Sequence, residues 1–173
     1  DTIWVKPMKN LQLDQWHSPA RGWKLKQEMD GDKLIIYCNP KEGHHPSAHF
    51  FWKIPGVIAY SQQDLNKTLK LELQARTPLK TVALLAKDAN GEEFLIHDHL
   101  QQPQQQATFE FDLRRLEKPD AFIAYGGDNN KKLDFPLRSL GYVISPGKLD
   151  PTSIYVEIVV LKHTTTKNKD ISQ

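Results

Sequence analysis

The sequence predicts an all-β domain, and three observations lead to that prediction. The chain has 173 residues, a length that suits one domain. Short runs of strand-forming residues alternate with turn residues, whereas helical periodicity is scarce. The runs are evenly spaced, as in a two-sheet antiparallel β-sandwich of the jelly-roll type. The predicted strands are residues 23–28, 33–38, 48–53, 68–76, 81–87, 93–97, 107–113, 121–125, 137–144 and 154–162.

Three of the predicted strands carry the most informative patterns. In residues 69–76 and 109–114, apolar and polar side chains alternate, which indicates strands with one buried and one solvent-facing side. In residues 154–161, almost every side chain is apolar. That strand is therefore predicted to be central and covered on both faces.

Turn residues separate the predicted strands. Asp30-Gly31-Asp32 and Asp88-Ala89-Asn90-Gly91 predict hairpin turns. The glutamine-rich residues 101–106 predict a polar loop, and a short helix is expected near residues 113–116. Residues 1–163 are predicted to form one domain, followed by a polar C-terminal tail or linker at 164–173.

Composition excludes several classes of protein. The 23 basic and 21 acidic residues give a net charge of +2, without the basic stripe typical of nucleic-acid binding. No apolar run approaches the roughly 18 residues of a membrane span. The single cysteine, Cys38, permits no intrachain disulfide and is interpreted as a small buried hydrophobe. Because the chain opens at Asp1 without methionine, we expect a mature fragment of a secreted or cell-surface protein.

Signatures of catalysis are missing. The chain has no Gly-x-Ser-x-Gly, no His-Glu-x-x-His and no phosphate-binding glycine loop. It also lacks the Glu-x-Asp-x-x-Glu strand of sandwich glycosidases, and carboxylate pairs such as Glu92-Glu93 are interpreted as solvated surface charge. The prediction is therefore a protein that is not an enzyme. Two carboxyl groups from distant positions would still make a glycosidase, so a catalytic domain acting on a glycan is one alternative. A structural or protein-interaction module is another.

Aromatic and polar side chains predict the ligand. Flat C–H faces of sugar rings stack on aromatic rings, and sugar hydroxyls pair with polar side chains. We therefore expect a polysaccharide or oligosaccharide site on a concave sheet face and its rim. The predicted ligand-binding residues are Trp52, His49, Tyr60, Arg76, Tyr125, Asp128, Arg138 and Tyr142.

Two histidines would share one face if both lie on a strand. His97 and His99 are two residues apart, a workable spacing for zinc, although the sequence identifies no third ligand. Hydrogen bonding by loop histidines to solvent or to a sugar is favoured.

Three segments carry a resemblance to a known family. They are residues 10–16 followed by Arg21-Gly22-Trp23, the strand and Asp-x-x-Gly turn of residues 81–91, and the last strand at residues 153–161. Together they resemble the galactose-binding-like β-jelly-roll carbohydrate-binding modules that accompany secreted glycan-degrading enzymes. The resemblance implies a non-catalytic module that binds a plant or microbial polysaccharide and is attached to a catalytic domain in the full-length protein.

The same resemblance implies a structural calcium ion. In that family, calcium commonly joins the first and last strands through an acidic side chain from each. The matching residues are Asp14 and Glu157, although the family usually has aspartate at the second position. The opening segment, Asn10 to Trp16 followed by Gly22-Trp23, is also similar to the start of concanavalin-like sandwich domains in secreted glycosidases. That likeness keeps the catalytic alternative open.

Overall fold

The computed structural model describes residues 2–4, 12–15, 24–30, 33–39, 50–53, 61–144 and 156–169. Short 3-10 helices occupy Gln62–Leu65, Leu113–Glu117 and Pro119–Ala121, so the helix expected near residues 113–116 is confirmed. Within the described ranges, no helix has the length and apolar character that crossing a membrane requires. The strands of these ranges are Thr2–Trp4 (β1), Gln12–Gln15 (β2), Lys24–Asp30 (β3), Lys33–Asn39 (β4), Phe50–Lys53 (β5), Lys67–Lys87 (β6), Glu93–Asp112 (β7), Ile123–Tyr125 (β8), Ser139–Ile144 (β9) and Val156–Lys167 (β10).

A long antiparallel hairpin, formed by β6 and β7, runs through the whole fold. Its register shifts between Gln74 and Thr81, where the pairing is irregular. The sequence predicted two strands in each arm and a loop at residues 101–106, and this was wrong. Strand pairing needs only backbone groups, so the polar side chains of residues 101–106 stay exposed while the strand continues.

The strands divide into two half-sheets that share this hairpin. In the first half-sheet, the order is β3-β4-β10 followed by the first part of β6, with β1 paired to the end of β10. In the second half-sheet, the order is β2-β5-β9 followed by the second part of β6, with β8 paired to β7. Every pairing is antiparallel, and β10 is central between β4 and β6, as predicted.

One apolar core joins the two half-sheets. The alternating residues predicted to be buried in β6 and β7 do lie in this core, which confirms the prediction of which side of each strand is buried. The Phe111 ring of the first half-sheet lies 5.6 Å from the Tyr142 ring of the second, centroid to centroid. Burying a large apolar side chain contributes about 1.5–3 kcal/mol, so this face-to-face packing is the main source of stability. The all-β sandwich prediction is confirmed.

The last strand ends later than predicted. β10 continues to Lys167, and Thr164 and Thr165 are buried, so the predicted polar tail cannot begin at residue 164. Pairing with β6 and β1 satisfies the backbone of these polar residues, which composition alone does not reveal. Asn168 closes the strand through a side-chain hydrogen bond of 2.7 Å with Thr68. The sequence also failed to predict β1 and β2.

Candidate functional site

The second half-sheet carries a distinctive surface on the side opposite the core. Side chains alternate along β6, β7 and β9, so every second residue faces away from the core. Four of these outward residues nevertheless form an apolar cluster that is 9% exposed or less. We call this surface the outer face, and its floor consists of Ala83, Leu85, Leu95 and Val143.

An aromatic and an acidic side chain border this floor. Tyr125 packs against the floor, and its backbone pairs with that of Glu93 on the neighbouring strand. Burial, together with the nearby Glu93 carboxylate, raises the pKa of Tyr125. The phenol therefore stays protonated at neutral pH and can donate a hydrogen bond. Glu93 Oε2 is buried and has no hydrogen-bond partner.

Two histidines continue the outer face along β7. The His97 and His99 rings are stacked with centroids 5.8 Å apart and planes 6° apart, which confirms that they share a face. Both lie on β7, which continues beyond the predicted strand end at residue 97. His99 Nδ1 lies 2.9 Å from Thr81 Oγ1. Burial and the neighbouring His99 lower the pKa of His97, so its neutral imidazole has both a donor and an acceptor.

The outer face therefore combines two chemistries within one surface. Its floor is apolar, and in the β6–β9 pairing Ala83 lies opposite Val143 while Leu85 lies opposite the small residue Gly141. Its border offers a phenol, imidazoles and a carboxylate. For a ligand with both C–H faces and hydroxyl groups, the partly exposed Tyr125 ring offers a stacking surface and the other border groups offer hydrogen bonds.

An acidic cluster lies beside this surface, where the β6–β7 turn meets the loop after β8. Oxygen atoms of Asp88, Glu92 and Asp128 all lie within 4.8 Å of one another. Asp88 and Glu92 are fully buried, whereas Asp128 is exposed. The interpretation of Glu92 as solvated surface charge was wrong, because the loop at residues 126–134 folds over it. In the part of the chain that the structure describes, this is the one such group of metal-ligating side chains, so His97 and His99 gain no third ligand there.

The structure separates the residues that the sequence predicted as one ligand site. Tyr125 lies on the outer face, and Asp128 belongs to the acidic cluster. Arg138 is exposed just before β9, where its backbone N–H donates to the carbonyl of Lys87 at 2.8 Å. Arg76 is exposed on β6, away from the outer face, and its carbonyl accepts from Gln105 Nε2 at 3.2 Å.

The prediction that Tyr142 binds the ligand was wrong. Its side chain is fully buried, and its hydroxyl lies 2.6 Å from Nε2 of His163, also buried. A ring enclosed in the core cannot stack on a ligand. Arg138 lies outside β9, although the strand predicted at residues 137–144 included it.

The remaining predicted residues lie wholly or partly outside the described part. His49 and Tyr60 are outside the described residues, and so are the side chains of Trp52, Asp14 and Glu157. The backbone of Trp52 lies in β5, opposite Tyr142. Asp14 lies in β2, which pairs with β5, whereas Glu157 lies in β10, which pairs with β4 and β6.

Sequence reasoning missed most of the outer face and the role of Glu92. One signal was available, since the Asp88-x-x-Gly91 turn places Glu92 directly after a hairpin turn that is now confirmed. The meeting of this turn with residues 126–134 was not visible, because the two segments are distant in sequence.

Comparisons with known proteins identify the fold. No protein-family model matches the chain, and no curated protein matches it in sequence. The family 11 carbohydrate-binding module of the cellulosomal cellulase Lic26A-Cel5E of Clostridium thermocellum is 10% identical, with a TM-score of 0.58 over 100% of this chain and 98% of the module. A family 11 module from the same organism, in complex with a beta-1,3-1,4-mixed-linked tetrasaccharide, is 10% identical, with a TM-score of 0.57 over 98% of this chain and 97% of the module.

A longer protein also contains this fold. PfGH50B is 15% identical, with a TM-score of 0.54, and the match covers 98% of this chain but 24% of PfGH50B. The chain thus spans the full length of the modules and about a quarter of the longer protein. These likenesses confirm the β-sandwich jelly-roll fold and the predicted resemblance to carbohydrate-binding modules.

Proposed function

We propose that the chain is a non-catalytic carbohydrate-binding module and that a polysaccharide binds on its outer face. The observation that carries this proposal is the border of the outer face, where the partly exposed side chains of Tyr125, Glu93 and the histidine pair surround a floor whose side chains are at most 9% exposed. Sugar rings stack on apolar and aromatic surfaces, while their hydroxyls exchange hydrogen bonds with polar side chains. The neutral phenol of Tyr125 and the neutral imidazole of His97 suit an uncharged glycan.

Structural likeness supports the proposal. A module with this fold is bound to a mixed-linked tetrasaccharide, and another is part of a cellulase. By extension, we propose that this chain binds a plant or microbial polysaccharide and is attached to a catalytic domain in a secreted or cell-surface protein. The sequence-based proposal of a calcium ion between Asp14 and Glu157 belongs to the same family likeness.

Carboxylate placement favours binding over hydrolysis. A glycosidase needs two carboxyl groups about 5–9.5 Å apart across a cleft. Among the outward residues that the structure describes around the floor, Glu93 is the one carboxylate, so no second carboxyl group is paired with it there. The acidic cluster is a poor catalytic pair, because Asp88 and Glu92 are fully buried and Asp88 accepts hydrogen bonds from backbone N–H groups at both oxygens.

The test is affinity electrophoresis in gels that contain mixed-linked β-glucan, xylan, mannan or pectin, followed by calorimetric titration with the polymer that retards the protein. Tyr125→Ala is expected to weaken binding about 5- to 150-fold, the range for losing 1–3 kcal/mol at a hot spot. Tyr125→Phe separates the two roles of the ring, since it keeps stacking and loses the hydroxyl. Lys118→Ala, an exposed change between two 3-10 helices, is the control.

Each outcome decides between functions. Retardation by a polymer that stays intact, weakened by Tyr125→Ala and unchanged by Lys118→Ala, supports the proposal. Shortened polymer would establish catalysis in its place. Retardation that Arg76→Ala abolishes and Tyr125→Ala leaves unchanged would move the ligand away from the outer face. If no polymer retards the protein, the result favours a structural or protein-interaction role over carbohydrate binding.

A further inference from the structure

The acidic cluster contains more negative charge than its surroundings balance. Asp88, Glu92 and Asp128 approach within 4.8 Å, and the residues that the structure describes provide no salt bridge to any of them. Burial raises the pKa of Glu92, and a hydrogen bond from the Lys131 backbone lowers it. A side-chain hydrogen bond with Asp128, which requires a proton on one of the two carboxyls, and the charges of Asp128 and Asp88 raise the pKa of Glu92 further. Like charges held this close are costly unless a cation or a proton lies between them.

Hydrogen bonds inside the cluster leave one buried oxygen unused. Asp88 accepts three hydrogen bonds, to Oδ1 from the backbone N–H groups of Asn90 and Glu92 and to Oδ2 from that of Asp134, which leaves Oδ2 able to accept one more partner. Glu92 Oε2 accepts from the Lys131 N–H at 3.1 Å. Glu92 Oε1, on a fully buried side chain, has no partner. A buried carboxylate oxygen without a donor is expensive, and it lies in the group with Asp88 and Asp128.

The β6–β7 turn and the loop after β8 pack closely against each other at the acidic cluster. Gly127 has a φ of +55°, and a Cβ atom there would overlap the backbone nitrogen of Glu92. Asn90 Nδ2 donates to Asp128 Oδ2 at 3.3 Å and to Asp134 Oδ2 at 2.8 Å. Asn130 Nδ2 also donates to Asp128 Oδ2, at 2.8 Å. These bonds position the Asp128 carboxylate toward the cluster without neutralising its charge.

We propose that Asp88, Glu92 and Asp128 bind a divalent cation of the calcium class, which ties the β6–β7 turn to the loop after β8. The donor set is all oxygen, which suits hard cations and disfavours zinc. Backbone carbonyls and water can complete the six to eight ligands that calcium takes. This site is distinct from the calcium expected at Asp14 and Glu157, and it does not depend on carbohydrate binding.

The experiment compares thermal unfolding in EDTA, in CaCl₂ and in MgCl₂, with calorimetric titration of CaCl₂ into the metal-free protein. With calcium at about 100 times its Kd, the melting temperature is expected to rise by about 5–10 °C over that in EDTA. Glu92→Gln is expected to abolish this rise and to remove one calcium from the titration. In EDTA, the same variant is expected to melt no lower than the parent protein, because it lacks the buried unpaired charge.

Two further variants make the test specific. Asp128→Asn changes an exposed side chain, so it is expected to fold and to lose the calcium-dependent rise even if Glu92→Gln does not fold. Asp120→Asn, an exposed change on a 3-10 helix, is the control and is expected to keep the full rise. The proposal is overturned if calcium and magnesium leave the melting temperature unchanged. It is also overturned if both cluster variants retain the rise, since calcium then binds elsewhere.

Discussion

Lowering the pH from 7 to 4 is expected to cost the folded protein about 3 kcal/mol through one side chain, His163. This residue is fully buried between the half-sheets, and its ring packs edge-to-face on Tyr142 with centroids 5.4 Å apart. Burial lowers its pKa from 6.5 to about 4. Its Nδ1 has no hydrogen-bond partner, so the core offers nothing to stabilise a second N–H or a positive charge.

The direction and size of this change in stability follow from the pKa values of His163 in the unfolded and the folded protein. A histidine whose folded pKa is lowered binds a proton more readily in the unfolded state, so protons favour unfolding. The contribution to stability is complete above pH 6.5 and is lost progressively as the pH falls toward 4. Each pKa unit is worth about 1.4 kcal/mol, so the complete loss is about 3.5 kcal/mol, of which about 3 kcal/mol has occurred by pH 4.

Urea unfolding at pH 7, 6, 5 and 4 measures the effect, with a double variant as the reference. Tyr142→Phe with His163→Leu removes both polar partners and the titration, and exchanging both members for apolar groups can be nearly neutral at pH 7. The difference in the free energy of unfolding between parent and double variant should fall by about 3 kcal/mol across this range. Tyr142→Phe alone should cost about 1–3 kcal/mol at pH 7 and keep the pH dependence. A difference that stays constant with pH would refute the reasoning.

The remaining predictions concern the loops and are measured by urea unfolding. Gly127→Ala is expected to cost more than the 1–3 kcal/mol of backbone strain, because its Cβ would overlap Glu92. Gly126→Ala should cost only that strain, since its nearest neighbour is 3.7 Å away, and equal effects would contradict the packing argument. Asp112→Ala should cost about 1–2 kcal/mol at pH 7, because Asp112 caps the 3-10 helix through the Arg114 N–H. Burial raises the pKa of Asp112, but the hydrogen bonds and positive charge of Arg114, together with a hydrogen bond from Asn168, lower it by more. The cost of Asp112→Ala should therefore shrink as the pH falls below 3.8, and a cost that persists in acid would contradict this.

Strands with one solvent-facing side were predictable from the sequence. Alternation placed Leu69, Leu71 and Phe109 in the core correctly, because each has polar neighbours that must face water. The turn at Asp88 was predictable for a similar local reason, since Asn90-Gly91 favours a tight turn.

The outer face and Tyr142 were beyond the same reasoning. From Leu140 to Ile144 every residue is buried, so β9 shows no alternation from which to choose a face. Tyr142 was therefore assigned to the ligand on its residue type alone. The acidic cluster depends on two loops that meet only after β6, β7 and β8 have paired, and no local pattern encodes that meeting.

The long hairpin has a consequence for how the molecule unfolds. β6 and β7 each belong to both half-sheets, so neither half-sheet is complete without them. One half-sheet therefore cannot unfold while the other stays paired. We therefore expect unfolding in a single cooperative step. Amide protons of Leu71 and Leu84, at opposite ends of β6, should exchange with solvent at the same slow rate, set by global unfolding. A break of the chain within the hairpin would then yield no folded half.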